Sequence, residues 1–91
     1  MSTLKVVNIQ HPSAASATLI LDSSGNLALP AGSASTPALQ GPSDTNTGLF
    51  FPAADTIAFA EGGTEVLRID SSGRVGIGTS SPSQILDVQA G

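Results

Sequence analysis

The chain has 91 residues, no cysteine and a formal net charge of −4, built from three basic and seven acidic side chains. These figures exclude a disulfide framework, a thiolate metal site and a thiol nucleophile, and with Lys5, Arg68 and Arg74 as the whole Lys/Arg complement they argue against nucleic acid as a partner. About two dozen large aliphatic or phenylalanine side chains are diluted among Gly, Ser, Thr and Ala, a thin core for one domain, and the expected remedy is a core shared between subunits.

Leu4-Lys5-Val6-Val7-Asn8-Ile9 reads as an opening strand with apolar positions on both faces and no hairpin partner of its own, stopped by His11-Pro12-Ser13. Met1 to Gln10 lacks a basic region followed by an apolar run, which argues against a secretory signal. No stretch is long and apolar enough to span a bilayer as a helix, so membrane insertion is not expected.

An internal repeat follows. Leu19-Ile20-Leu21-Asp22-Ser23-Ser24-Gly25-Asn26-Leu27-Ala28-Leu29 returns as Leu67-Arg68-Ile69-Asp70-Ser71-Ser72-Gly73-Arg74-Val75-Gly76-Ile77. In each copy aspartate suits the first position of a type I turn, and glycine supplies the left-handed residue that closes a G1 bulge. Counting outward sets Leu21 opposite Leu27 and Leu19 opposite Leu29, then Ile69 opposite Val75 and Leu67 opposite Ile77. Each hairpin therefore carries one apolar stripe. On the other face Ile20 and Ala28 become Arg68 and Gly76, which predicts that the first hairpin is the more enclosed.

Pro30-Ala31-Gly32-Ser33 ends the first hairpin, and Ser33 to Thr47, with Pro37, Gly41 and Pro42, offers only short extended pieces such as Ala38-Leu39. Leu49-Phe50-Phe51 pins the end of that segment. Beyond it a three-stranded meander is expected, with stripes Ile57/Phe59, Leu67/Ile69 and Val75/Ile77. A two-residue Gly62-Gly63 loop would set Phe59 against Val66, whereas a three-residue Gly62-Gly63-Thr64 loop sets Phe59 against Leu67 and keeps all stripes on one face; the second is preferred. Ile85-Leu86-Asp87-Val88 suits either a short helix or a final strand. The organisation is thus residues 1–32, an N-terminal strand and first hairpin; 33–56, a Pro/Gly/Ser/Thr-rich extended segment; and 57–91, a meander and tail.

Candidate chemistry is scarce. His11 has no partner residue nearby in sequence, no Gly-x-Ser-x-Gly elbow occurs, and Gly76-Ile77-Gly78 reads as a glycine pair at a strand exit rather than a phosphate loop. Asp44-Thr45-Asn46-Thr47-Gly48 resembles the start of a calcium loop, with Asp55 at the closing distance. Leu49 stands where the sharp turn needs glycine, so an Asx-type turn at Asp44 and Asn46 is the better reading. Glu61 and Glu65 flank a glycine turn and are expected to face solvent. No catalytic residue, cofactor or metal is predicted, and the chain is not expected to be an enzyme.

Five segments together carry a resemblance: Ser35-Thr36-Pro37-Ala38-Leu39, Asp44 to Phe50, Pro52-Ala53-Ala54-Asp55-Thr56-Ile57, Gly62-Gly63-Thr64-Glu65, and Leu67 to Ser83 with its Gly-Ile-Gly-Thr. They resemble the repeat modules of tailed-bacteriophage fibre proteins, common in phages of cyanobacteria, and Leu4 to Leu27 is similar to N-terminal segments of such virion proteins. The resemblance implies an all-β, elongated homotrimer in which apolar stripes of three chains meet about a three-fold axis. Relatives often continue into a receptor-binding tip and a C-terminal chaperone, where this chain ends at Gly91. Val66 and Gln84 stand where relatives often have basic residues.

The expected function is a phage virion structural protein, a short trimeric fibre or fibre base attached to tail or capsid and aiding host adhesion. The trimer core is expected from Leu19, Leu21, Leu27, Leu29, Phe50, Ile57, Phe59, Leu67, Ile69, Val75 and Ile77, and virion docking from Leu4, Val6, Val7 and Ile9. Its partners would be further copies of itself, other virion proteins and host surface glycans. A capsid decoration protein is the alternative reading. A sugar-active tailspike enzyme is the more distant one, since it would require clustered acids and aromatic platforms and the chain has no Trp or Tyr.

Overall fold

A computed structural model describes residues 8–9, 11–13 and 19–88, and among them the protein is all-β, without a helix. Nine strands run in chain order: β1 (Asn8–Ile9), β2 (Leu19–Leu21), β3 (Leu27–Ala28), β4 (Leu39–Gly41), β5 (Asp44–Phe50), β6 (Ile57–Glu61), β7 (Thr64–Ile69), β8 (Val75–Ile77) and β9 (Leu86–Val88). They form two compact units, Met1–Pro30 and Ala31–Gly91.

In the first unit β2 and β3 form an antiparallel hairpin with Leu21 opposite Leu27, and the two-residue β1 joins the other side of β2, with Asn8 opposite Ile20 and Ile9 opposite Leu19. The opening strand therefore has a partner, contrary to the sequence expectation: β2 offers a free edge on the side away from β3, and an unpaired main chain nearby satisfies its N–H and C=O groups there.

The second unit is an open sheet in the order β4-β5-β6-β7-β8-β9. Strands β4 to β8 form a five-stranded antiparallel meander, and β9 adds to β8 in parallel, pairing Val75 with Leu86 and Ile77 with Val88. Leu86 to Val88 is thus a strand, and the Ile85 carbonyl just before it accepts from the Val75 N–H at 2.8 Å. The seven-residue β5 replaces the Asx turn expected at Asp44 and Asn46. The chain reverses one step earlier, at Pro42 and Ser43, where Ser43 takes a left-handed φ of 57°.

Both repeat turns have the expected geometry. The Asp22 carbonyl accepts from Gly25 N–H at 3.0 Å, and the Asp22 N–H donates to the Asn26 carbonyl at 2.9 Å; Asp70, Gly73 and Arg74 repeat this at 2.9 and 2.9 Å. Gly25 and Gly73 sit at φ 83° and 78°, conformations that cost an L side chain energy.

The turn between β6 and β7 combines the two alternatives weighed from the sequence. Glu61 pairs with Thr64, so the loop is the two-residue Gly62-Gly63 turn, with φ of 60° and 82° as a type I′ turn requires. A bulge beyond Ala60 and Glu65 then restores Phe59 opposite Leu67 and Ile57 opposite Ile69. Val66 is the extra residue, and its carbonyl accepts from the Gly78 N–H at 3.0 Å.

The bulge also places Glu65 and Arg68 on the same face of β7, where they form a bidentate pair at 2.7 and 2.8 Å. Glu65 is consequently half-buried, not turned to solvent as the sequence suggested.

The two faces of this sheet differ in kind. One carries Gly48, Phe50, Ala58, Ala60, Arg68 and Gly76, and its core consists of Phe50, Ala58 and Ala60 with Ala34 packed against them. The loop holding Ala34 is tied by Ser33 to Thr36 bonds (main chain 3.0 Å, Thr36 N–H to Ser33 Oγ 3.1 Å) and by the Gly32–Pro37 bridge. Near β8, Gly76 is buried beneath Thr79 and Pro82. The second hairpin is therefore the better enclosed within the chain, reversing the sequence expectation: Gly76 has no side chain to hold the covering loop away, whereas Ile20 and Ala28 both remain exposed.

A Cβ at Gly76 would lie 2.5 Å from the Thr79 carbonyl oxygen. Gly76→Val is expected to destabilise the protein by about 1–3 kcal/mol through overpacking, lowering Tm by about 4–8 °C per kcal/mol in a thermal melt. Gly25→Ala, with open space around the new methyl, should cost only the left-handed strain, about 1–2 kcal/mol. A smaller loss at Gly76→Val than at Gly25→Ala would contradict the packing argument.

Candidate functional site

The opposite face of the second sheet is apolar from edge to edge. Leu39, Leu49, Phe59, Leu67, Ile77 and Val88 stand opposite one another in a single cross-strand row over all six strands. Two residues along, Ile57, Ile69, Val75 and Leu86 form a second row on the same face. Glu61 and Thr64, both exposed, give this face a polar border at the turn end.

Nothing among the described residues of the second unit covers this face as the loops cover the other. Leu39 is 58% exposed, Phe59 40%, Leu86 58% and Val88 64%, with Ile57, Ile69 and Ile77 between 36% and 39%. Their exposed portions add to on the order of 600 Å², at the top of the range for the largest apolar patch on a monomer and near the roughly 800 Å² per partner of a specific interface. At the β4 to β6 end, Leu39, Leu49 and Phe59, with Thr47 and the main chain of Gly48, line an open hollow of about 420 Å³.

The expected core residues divide among three places. Ile57, Phe59, Leu67, Ile69, Val75 and Ile77 share the uncovered face. Phe50 stands opposite Ala58 on the covered side and is 3% exposed, so it belongs to the chain's own core and does not join them. Leu19 and Leu29 are half-buried and Leu21 and Leu27 exposed in the first unit. Of the docking residues, Leu4, Val6 and Val7 lie outside the described residues, and Ile9 is described only by its main-chain place in β1.

Sequence reasoning missed Leu39, Leu49, Leu86 and Val88 as members of the face. The alternation Leu86-x-Val88 carries the signal. Leu49 is hidden inside the continuous run Leu49-Phe50-Phe51, whose period cannot be read.

The ionisable groups are held by local structure. The Asp22 carboxylate accepts from the Asn26 and Ser24 N–H groups at 2.8 and 2.9 Å, and Asp70 from Arg74 and Ser72 at 2.9 and 3.0 Å. These bonds, from Asn26 and from Arg74 foremost, hold both carboxyls below the ordinary value of 3.8. The Glu65 carboxylate raises the Arg68 guanidinium. His11 is exposed, and its Nδ1 accepts from the Ser13 N–H at 3.0 Å. Asp44 begins β5 while Asp55 occupies a turn at φ 56°, and no group of three or more His, Asp or Glu suited to a metal ion occurs among the described residues.

Comparison with known proteins gives no match to any family, curated protein or solved structure.

Phe50→Ala should cost about 3–5 kcal/mol, independent of protein concentration because the side chain is buried within one chain. Phe59→Ser removes a ring that one chain leaves 40% exposed, so it should lower Tm at every concentration, and any association through this face would add a loss that fades on dilution, which a dilution series of thermal melts would resolve. A second expectation concerns acid. Because the folded carboxyls of Asp22 and Asp70 titrate below their unfolded values, the turns contribute fully above about pH 4 and lose that contribution as pH falls through the lowered folded values. The Asp22→Asn/Asp70→Asn double variant should flatten the acid limb of a Tm-against-pH curve. An unchanged limb would contradict the assignment.

Proposed function

We propose that the chain is a structural component of a tailed-phage virion, a short homotrimeric fibre or fibre base attached to tail or capsid and contributing to contact with the host surface. The observation that carries this reading is the uncovered ten-residue apolar face, since a six-stranded sheet with its large aliphatic side chains outward gains most by meeting copies of itself.

The covered side supports the same reading, because its core is one phenylalanine and three alanines and leaves most of the hydrophobic gain to association. The repeated Asp-Ser-Ser-Gly hairpin and the resemblance to phage-fibre modules supply the virion context. Its role is mechanical: main-chain ladders and shared apolar rows hold the assembly, and the hydroxyl-rich loops face water and host glycans. In this reading residues 4–7 with Ile9 reach the neighbouring virion protein.

Light scattering at micromolar concentration should give three times the chain mass, and Phe59→Asp/Ile77→Glu, which places charges on the face, should give the monomer mass. Removing residues 1–7, which spares β1, should leave the soluble assembly intact and yield particles that lack the protein. A monomeric parent chain would overturn the shared-core reading, and unchanged incorporation of the shortened chain would overturn the attachment segment.

A further inference from the structure

The apolar face has two unlike ends. Around Leu39, Leu49 and Phe59 it is hollow, an open depression of about 420 Å³. At the far edge the side chains stand out, with Leu86 58% and Val88 64% exposed, and Ile85 just before them 76%.

Strands in a sheet rotate by roughly 20–25° from one to the next, so the five steps from β4 to β9 accumulate on the order of 100°. The two ends of the face then point in different directions, and no single neighbour lies flat against both. Two neighbours, one at each end, cover it. A hollow cannot fill a hollow, so like-to-like pairing of the β4 ends leaves the depression empty, whereas a projecting aliphatic edge supplies the missing volume.

We infer that the face is shared head to tail between copies of this chain, the Leu39/Leu49/Phe59 hollow of one copy receiving the Leu86/Val88 edge of the next. This rests on the self-association proposed above and deepens it by naming which surface meets which. Such a contact is heterologous, and a ring closes when its rotation divides the circle. Each copy then uses both ends, whereas a two-fold pairing of like β4 ends would leave two hollows unfilled.

The chain has no cysteine, so engineered thiols report only on the positions chosen. Leu49→Cys and Val88→Cys are four strand spacings apart within one chain, about 19 Å, beyond the roughly 7 Å Cα separation that a disulfide spans. Because β5 lies one strand inside the edge, side-by-side pairing of β4 with β9 from another copy does not bring them together either.

Under mild oxidation the full-length double variant should form covalent oligomers ending at the size of the assembly. An equal mixture of the two single variants should give a covalent dimer containing one of each, and neither single variant alone should crosslink. Self-crosslinking of Leu49→Cys alone would overturn the inference in favour of a two-fold face, as would an assembly of normal mass in which the double variant forms no disulfide. If light scattering instead finds the unmodified chain monomeric, the reading of the preceding subsection fails, and this inference with it.

Discussion

The position of one residue, Val66, decides which side chains of the second sheet lie together. Side chains in a strand alternate between faces, so a slip of one residue sends a whole stripe to the wrong side. The tight Gly62-Gly63 turn alone would align Phe59 with Val66. The bulge absorbs Val66, aligns Phe59 with Leu67, and puts Arg68 on the small-residue side beside Glu65. Every cross-strand relation on the later strands inherits this correction, through Leu67 to Ile77 and through Ile77 to Val88.

That single register explains why the sheet has one covered and one bare face. On the covered side small residues predominate: Gly48, Ala58, Ala60 and Gly76 leave room for loops to lie close to the main chain. At Gly48 an added Cβ would run into the Leu39 carbonyl, so the strand is glycine there because β4 approaches it closely. Apart from Phe50 and the Glu65–Arg68 pair, most of the larger side chains of the strands lie on the other face, where they form two apolar rows. Covered and bare faces are two results of one alternation.

Much of this was legible from residue types, and what was not has physical causes. Asp-Ser-Ser-Gly specifies its turn locally through a carboxylate and a left-handed glycine, so both hairpins and their pairings follow from a few adjacent residues. The alignment of Phe59 with Leu67 follows from requiring a common apolar face, yet the mechanism that achieves it does not, because a bulge and a longer loop produce the same far register. Strand β5 is hidden for a different reason. Asp44, Asn46 and Gly48 are turn formers by propensity, and pairing with both β4 and β6 overrides that preference. The relative enclosure of the hairpins depends on where the Thr79 to Pro82 loop lies, a contact that no local pattern encodes.

The two copies of the repeat show how one local motif serves different surroundings. In the second copy Gly76 lets the returning chain lie against β8, and that chain continues into β9, whose Leu86 and Val88 complete the apolar rows. A side chain at position 76 would therefore disturb more than a local contact, since the loop it displaced is the one that delivers β9 to the sheet. In the first copy Ala28 stands at the equivalent place, Ile20 opposite it, and both faces of that hairpin keep apolar side chains exposed. The glycine is what converts a two-sided apolar hairpin into a sheet with one face closed by its own chain. The other face, bordered by the polar residues of the β6–β7 turn and ending in the parallel edge strand β9, keeps both apolar rows uncovered by the described residues of its own unit.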